Sequence, residues 1–335
     1  MRKMKIGFLG CGNIAYSHLQ NLSGFSEEAE AVALFDIKKE AAKKMASQIK
    51  NNVKLCETEE DFFQEELDAA VISTPHTLHF PQIKKALQKG CYVLVEKPAV
   101  VNYEEAKKVR EMINKTGKKV VVGYQRHYFP IYQQARNLLK KGEIGRIFFI
   151  SFIMAQNWLE VVAKSGRTWR FEPKLSGAGQ IMDSGNHYIA LMFWLTELEP
   201  EEVFCYKESQ GLKVDVNTSL SFRLKGGVLG SASILGDDTA FRDTFFIWGD
   251  RGVISLSTGD AYYELKGKKE KVVLNDSSFP LPAKNPVEDL LKVIKNEKEP
   301  ETSWSIVEKI AFFTDKALES AKIGKPVKIK RSTAD

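Results

Sequence analysis

Between Lys5 and Tyr124 six short apolar runs alternate with five helical stretches, and this alternation constrains the fold more than any other feature. The runs are KIGFL, AVALFD, VKLC, AAVIST, YVLVE and KKVVVGY. The stretches between them read as helices from Ile14 to about Gly24, over 38–50, within TEEDFFQEE with Thr58 as cap, within FPQIKKALQKG, and over 103–116. In FPQIKKALQKG, Pro81 is expected in the first turn and Gly90 as the stop. Strands separated by helices pair in parallel, and a parallel sheet must be covered on both faces. After Tyr124 the pattern changes. A helix over roughly 130–141 leads to the alternating run RIFFISFIMAQNW, and the runs SLSFRLKGG, VLGSASIL, DTFFIWG and GVISLS then follow in close succession. Helices are expected over about 286–296 and 303–322. The reading is an α/β chain of two domains: a parallel-sheet domain over 1–124, and an α+β domain with a large open mixed or antiparallel sheet over 125–335.

The first turn carries specific chemistry. GFLGCGNIA places Gly10, Gly12 and Ala15 in a GxGxxA turn between the first strand and the first helix. Gly10 permits the tight turn, Gly12 lets the backbone of Asn13 and Ile14 approach a pyrophosphate, and Ala15 keeps helix and strand close. Asp36 ends the next strand about 20 residues on, where an acid accepts ribose hydroxyls and repels a 2′-phosphate. The expected cofactor is therefore a dinucleotide, NAD in preference to NADP, with Lys38 and Lys39 close enough to soften that preference.

Ligands of open parallel sheets bind beyond the carboxyl ends of the strands. Three such ends read TPHTLH (74–79), EKP (96–98) and GYQRHY (123–128). They supply Thr74, Pro75, His76, His79, Glu96, Lys97 and Arg126 as further cofactor-binding candidates. Of the five histidines in the chain, His76, His79 and His127 fall on these turns and His187 lies elsewhere. His76 and His79 also read simply as polar residues at a helix entry, and Lys97 as a turn lysine whose direction Pro98 fixes.

The stretch GQIMDSGNHYIALMFW (179–194) changes character halfway. Ile189 to Trp194 is uniformly apolar and belongs in a core, whereas Asp183 and His187 stand four apart on what a helix makes one face. Asp183 also suits an N-cap. Imidazole titrates near neutrality and suits removal of a hydroxyl proton, and an ammonium such as that of Lys97 can hold the same oxygen as negative charge develops; which of Lys97 and His187 is the formal base stays open in the sequence.

Taken in order, GCGNIA, Asp36, TPHTLH, EKP, GYQRHYFP and SGAGQIMDSGNH resemble the Gfo/Idh/MocA family of nicotinamide-dependent oxidoreductases, over nearly the whole chain. The resemblance implies a Rossmann domain followed by an α/β domain whose open sheet forms a subunit interface. It also implies a catalytic trio at Lys97, Asp183 and His187, and a sugar, cyclitol or derivative as substrate. Arg126, Trp158, Trp169 and Arg170, ahead of the trio's second half, are substrate-contact candidates together with the trio itself. Ala190 stands where many members carry a further Asp, which removes a substrate contact there. Two other functions use the same residues: a glycosidase that oxidises and re-reduces its sugar on NAD within one turnover, and an NAD(P)-binding regulator without catalysis.

The remaining expectations come from totals. A net charge of +6 is spread over lysine-rich helices and never interleaved with aromatics, so no nucleic-acid partner is expected. Four well-separated cysteines without a CxxC pair argue for free thiols in the cytoplasm and against a metal site. No apolar stretch approaches the ~18 residues of a membrane span. The apolar second-domain strands predict a homodimer or homotetramer.

Overall fold

The computed structural model describes residues 2–275 and 277–330 and divides into two compact units. The first is built on β1 (Met4–Leu9), α1 (Asn13–Ser23), β2 (Ala29–Phe35), α2 (Lys39–Ala46), β3 (Lys54–Leu55), α3 (Glu59–Phe62), β4 (Ala69–Ile72), α4 (His76–Gln88), β5 (Tyr92–Val95), α5 (Tyr103–Thr116) and β6 (Val120–Val122). The six strands are all parallel in the order β3-β2-β1-β4-β5-β6, the doubly wound arrangement in which the strand order reverses beside β1. Its central strands are buried on both faces: Phe8, Leu9, Ile72, Leu94 and Val95 have no exposed surface. The cap read at Thr58 is present as a reciprocal pair, Thr58 Oγ1 accepting from the Asp61 N–H and the Asp61 carboxylate accepting from the Thr58 N–H, each at 3.0 Å.

Three boundaries differ from the sequence reading. α2 stops at Ala46 rather than 50. α4 starts at His76, so Pro81 lies inside the helix and not in its first turn. Pro75, extended at ψ 149°, is what starts α4, and the apolar spacing that suggested a later start belongs to its buried middle. The third difference is the domain division. A single cut at 124/125 leaves out Pro282–Trp304, which returns to the first unit. There a helix, Pro286–Ile294, is capped by Asn285 Oδ1, which accepts from the Val287 and Glu288 N–H groups. It buries Val287, Leu290, Leu291 and Val293 in the core that α1 and β1 also line. Nothing in the first third signals this return, because its apolar partners are separated from it by more than 160 residues of chain.

The second unit contains α6 (Pro130–Lys140), β7 (Ile147–Asn157), α7 (Trp158–Lys164), α8 (Pro173–Ser176), α9 (Ser184–Thr196), β8 (Pro200–Glu208), β9 (Asn217–Leu224), β10 (Val228–Leu235), β11 (Asp237–Gly249), β12 (Gly252–Ser257), β13 (Asp260–Leu265) and β14 (Val272–Val273). The helix Trp304–Ile323, from Ser305 onward, and β15 (Val327–Lys328) complete it. Its nine strands run β14-β13-β12-β11-β7-β10-β9-β8-β15, mixed because β7 and β10 are parallel and the other neighbours antiparallel. Period-two alternation sends Ile150, Phe152, Met154, Phe245 and Ile247 into the core. There Phe313, on the long helix, makes edge contacts with Phe193 of α9 and Phe222 of β9 at 5.4 and 5.8 Å. The opposite face carries Phe149, Ile153, Leu229, Phe246 and Trp248, with Ile153 and Leu229 nearly half exposed. Among the described residues no helix is long and apolar enough to cross a membrane.

Candidate active site

The glycine turn is built from backbone. At Gly10 φ is +87°, and a Cβ there would stand 2.7 Å from the Ser73 carbonyl oxygen, so conformation and space both demand glycine. Gly12 is the N-cap of α1, with no side-chain cap, and a Cβ there would meet nothing within 4 Å. The first-turn amides, at Asn13 and Ile14, have no intrahelical acceptor and no side-chain cap from Gly12, and the space beside Gly12 is open. Asp36 closes the turn: Oδ2 accepts from the Cys11 N–H and Oδ1 from the Lys38 N–H, both at 2.8 Å. Two donors leave the carboxylate further acceptor capacity. Burial and the Asp36 charge push the Cys11 thiol up to about 12, so it is no nucleophile. Lys39 is paired with Glu57 on the surface. Open amides at a helix start beside an acid with spare lone pairs fit a dinucleotide.

The other strand ends of this unit are tied to one another by side chains. His79 is fully buried, with Nδ1 2.8 Å from the Pro98 carbonyl oxygen and Nε2 2.8 Å from that of Thr74. Burial lowers its pKa, and a neutral imidazole donates to one of these carbonyls at a time. His79 therefore links the 74–79 and 96–98 turns rather than offering a polar atom to a ligand. His76, also buried, lies with its ring 6.0 Å from that of His79, and the Thr74 hydroxyl donates to Gln82 Oε1 at 2.5 Å. Glu96 is buried as well. Its Oε1 receives His18 Nε2 at 2.8 Å and Gln125 Nε2 at 3.1 Å, and its Oε2 receives the Lys97 N–H at 3.3 Å. His18 is a functional neighbour that the sequence reading missed; a lone histidine inside an ordinary helix gives no spacing signal. Lys97 follows, half-buried at the end of β5.

In the second unit Asp183 occupies the N-cap position of α9, yet its side chain makes no cap bond. Oδ2 instead accepts from Trp158 Nε1 at 2.9 Å and from Arg170 Nε at 2.7 Å. His187 follows one turn along α9 and is half-buried, and from Tyr188 to Leu195 every residue is buried. Gly185 and Asn186 are buried too, so at 188 the side chains turn apolar within a helix that is already largely buried, and only Ser184 and His187 of its first turn are partly exposed. The loop before α9 is held by Asp215, also missed in the sequence: its two carboxylate oxygens accept from the Gly179 and Ile181 N–H groups, each at 2.8 Å. Gly179 must be glycine, since a Cβ would come within 1.9 Å of the Asp215 carbonyl oxygen. Ala190 is fully buried and contributes to packing alone.

The aromatic and cationic candidates divide by role. Trp158 is core and spends its indole N–H on Asp183, whereas half-buried Trp169 is covered on one face by the Arg170 guanidinium at 4.4 Å. Arg126 donates to the Tyr132 hydroxyl at 2.7 Å, lies 4.7 Å over the Tyr188 ring and stands 3.6 Å from Asp243. The Tyr188 hydroxyl donates to the same Asp243 at 2.5 Å. Arg126 thus belongs to a cluster of the second unit. His127 is stacked on Trp194 at 4.3 Å and fully buried, which holds its pKa well below the ordinary value.

Residues 4–124 match the model of an oxidoreductase family with an NAD-binding Rossmann fold, Gfo/Idh/MocA, and residues 132–255 match the C-terminal domain of the same family. The chain belongs to the Gfo/Idh/MocA oxidoreductases. An oxidoreductase of Formosa agariphila is 29% identical over 255 residues, which cover 75% of this chain and 78% of that one. A scyllo-inositol 2-dehydrogenase (NAD(+)) of Bacillus subtilis is 31% identical over 156 residues, 46% and 45% of the two chains. Among solved structures, the WlbA dehydrogenase from Chromobactrium violaceum in complex with NADH and UDP-GlcNAcA superposes with a TM-score of 0.87 at 21% identity, covering 99% of this chain and 97% of that one. The family assignment makes this chain an oxidoreductase whose residues 4–124 form an NAD-binding Rossmann domain. It agrees with the glycine turn, the strand order and Asp36.

Proposed function

We propose that this Gfo/Idh/MocA enzyme oxidises a secondary alcohol of a sugar, cyclitol or close derivative to the ketone. The observation that carries the reading is Asp183, anchored by Trp158 and Arg170 one helical turn ahead of His187. NAD supplies the hydride acceptor. The chain's own residues handle the proton and the charge. Lys97, as an ammonium, holds the hydroxyl oxygen and stabilises the negative charge that develops on it. His187 accepts the hydroxyl proton, a task matched to an imidazole near neutral pH. Asp183, already holding two N–H donors on one oxygen, is an anchor that orients its surroundings rather than a second base. Gly10, Gly12, Asn13, Ile14 and Asp36 hold the cofactor; Asp36 favours NAD over NADP. Thr74, Pro75, His76 and Glu96 complete the cofactor surroundings, and Arg126, Trp169 and Arg170 serve the substrate.

A homodimer or homotetramer formed through the second unit's open sheet belongs to the same reading. Phe149, Ile153, Leu229, Phe246 and Trp248 line one continuous uncovered face of that unit, the kind of surface that marks an interface.

The test is a panel of sugars and inositols with NAD and with NADP, followed by absorbance of the reduced nicotinamide. Net NADH formation with at least one polyol is the expected result. Cleavage of a glycoside without net NADH would replace the reading by transient redox catalysis. NAD binding with neither activity across the panel would leave a regulator.

A further inference from the structure

Residues 167–170 form a short cationic edge that the chemistry above leaves partly unused. Arg170 donates Nε to Asp183, stacks on Trp169 and keeps Nη1 buried with no hydrogen-bond partner among the described residues. A buried donor left over in this way calls for an acceptor that binding supplies. Arg167, three residues earlier, donates Nε to the Ser165 hydroxyl at 2.7 Å and forms no ion pair among the described residues. Burial and the neighbouring Arg170 push the Arg167 guanidinium below its ordinary range, with Asp183 only partly offsetting them. Arg167 and Arg170 therefore repel one another, and of the two only Arg170 has a carboxylate within ion-pair distance among the described residues, so the positive charge of Arg167 is left uncompensated. A neutral hydroxyl would satisfy Nη1 and leave that charge unmatched. An anionic group would do both, and guanidinium donors match planar and tetrahedral oxyanions in geometry as well as charge.

We propose that the sugar or cyclitol substrate carries an anionic group, a carboxylate or a phosphate, that docks on Arg167 and on Nη1 of Arg170. The proposal rests on the sugar-oxidation reading for its substrate but not for its binding chemistry, and the experiment separates the two. Equilibrium binding to the NADH-loaded protein is measured from nicotinamide fluorescence with glucose, glucuronate and glucose 6-phosphate, alongside turnover of the same compounds with NAD. Glucuronate or glucose 6-phosphate should bind more tightly than glucose, and whichever of the two wins identifies carboxylate or phosphate as the docked group. Arg167→Gln should weaken the anionic ligand by about 10- to 100-fold, the worth of a charge-assisted hydrogen bond. Arg167→Lys should restore part of it, which loss of structure would not allow. In turnover the change should fall on KM and leave kcat nearly constant. Anion binding without oxidation would uphold this site and count against the dehydrogenase reading. Glucose binding and turning over as well as both anions, with Arg167→Gln indistinguishable from the parent, would overturn the anionic site and leave the dehydrogenase reading standing.

Discussion

Around Gly10 the chain presents its own backbone: a positive φ, a strand passing 2.7 Å from where a Cβ would stand, and two amides at the start of α1. Around Asp183 it presents side chains, each delivered by a different element. Trp158 comes from α7, Arg170 from the turn after it, and Asp215 from the chain between β8 and β9. The first construction concentrates its requirements within a few residues, because dihedral angles and close approach are local. The second spreads them along the chain, because a hydrogen bond requires only that two groups meet. A backbone site leaves the exposed side chain of Asn13 free to vary and allows no substitution at Gly10. A side-chain site depends on residues well separated in sequence, as Asp215 is from Gly179 by 36 positions.

This contrast can be broken most directly at the chemistry itself. Lys97→Met and His187→Ala should each lower kcat by roughly 10²–10⁴-fold, the usual worth of general acid–base groups, while NADH affinity measured by calorimetry stays nearly constant. On the proposed reading, in which both residues act on one oxygen and its proton, the double variant should lose little more than either single one. A Lys97→Met enzyme with near-normal turnover would show that the backbone site does the whole work of the protein.

A smaller effect is expected at Asp215, which touches no ligand. Asp215→Ala strands two buried N–H groups, at a cost of about 1–3 kcal/mol each, so thermal unfolding should shift down by several degrees and kcat should fall with it. Asp215→Asn, which keeps one acceptor oxygen, should recover part of both. An unchanged melting temperature in Asp215→Ala would mean that the loop before α9 holds its shape without side-chain support. The smallest change is Trp158→Phe, which keeps the aromatic body and deletes one donor to Asp183. About 1 kcal/mol is at stake, so kcat should drop by no more than about tenfold. A larger loss would make the indole N–H, rather than Arg170, the principal anchor of the carboxylate.

Legibility in the sequence follows the same division. The parallel sheet, the glycine turn, Asp36 and the Thr58 cap could be read directly, because each is a pattern within one element or across one turn. The Asp183–His187 spacing could be read as well, since four residues on a helix always share a face. What could not be read were the partners: His18 on Glu96, Asp215 on Gly179 and Ile181, and the carbonyl contacts of His79. The TPHTLH turn suggested ligand contacts for His79, and the fold uses it between two turns that sequence spacing leaves 19 residues apart. Strand edges suffered similarly. β8 and β13 escaped notice because PEEVFCYKE and DAYYEL are short of apolar alternation and owe their pairing to β9 and β12.

The helix Pro286–Ile294 adds a consequence for biosynthesis. A ribosome releases the first 125 residues long before this helix exists, so the nascent Rossmann sheet must wait with an apolar seat uncovered beside α1, β5 and β6. Its cooperative folding is thus tied to nearly the whole length of synthesis. Cutting the gene after Tyr124 would deliver a fragment that keeps the nucleotide loop but lacks its lining, prone to stick to chaperones or to itself.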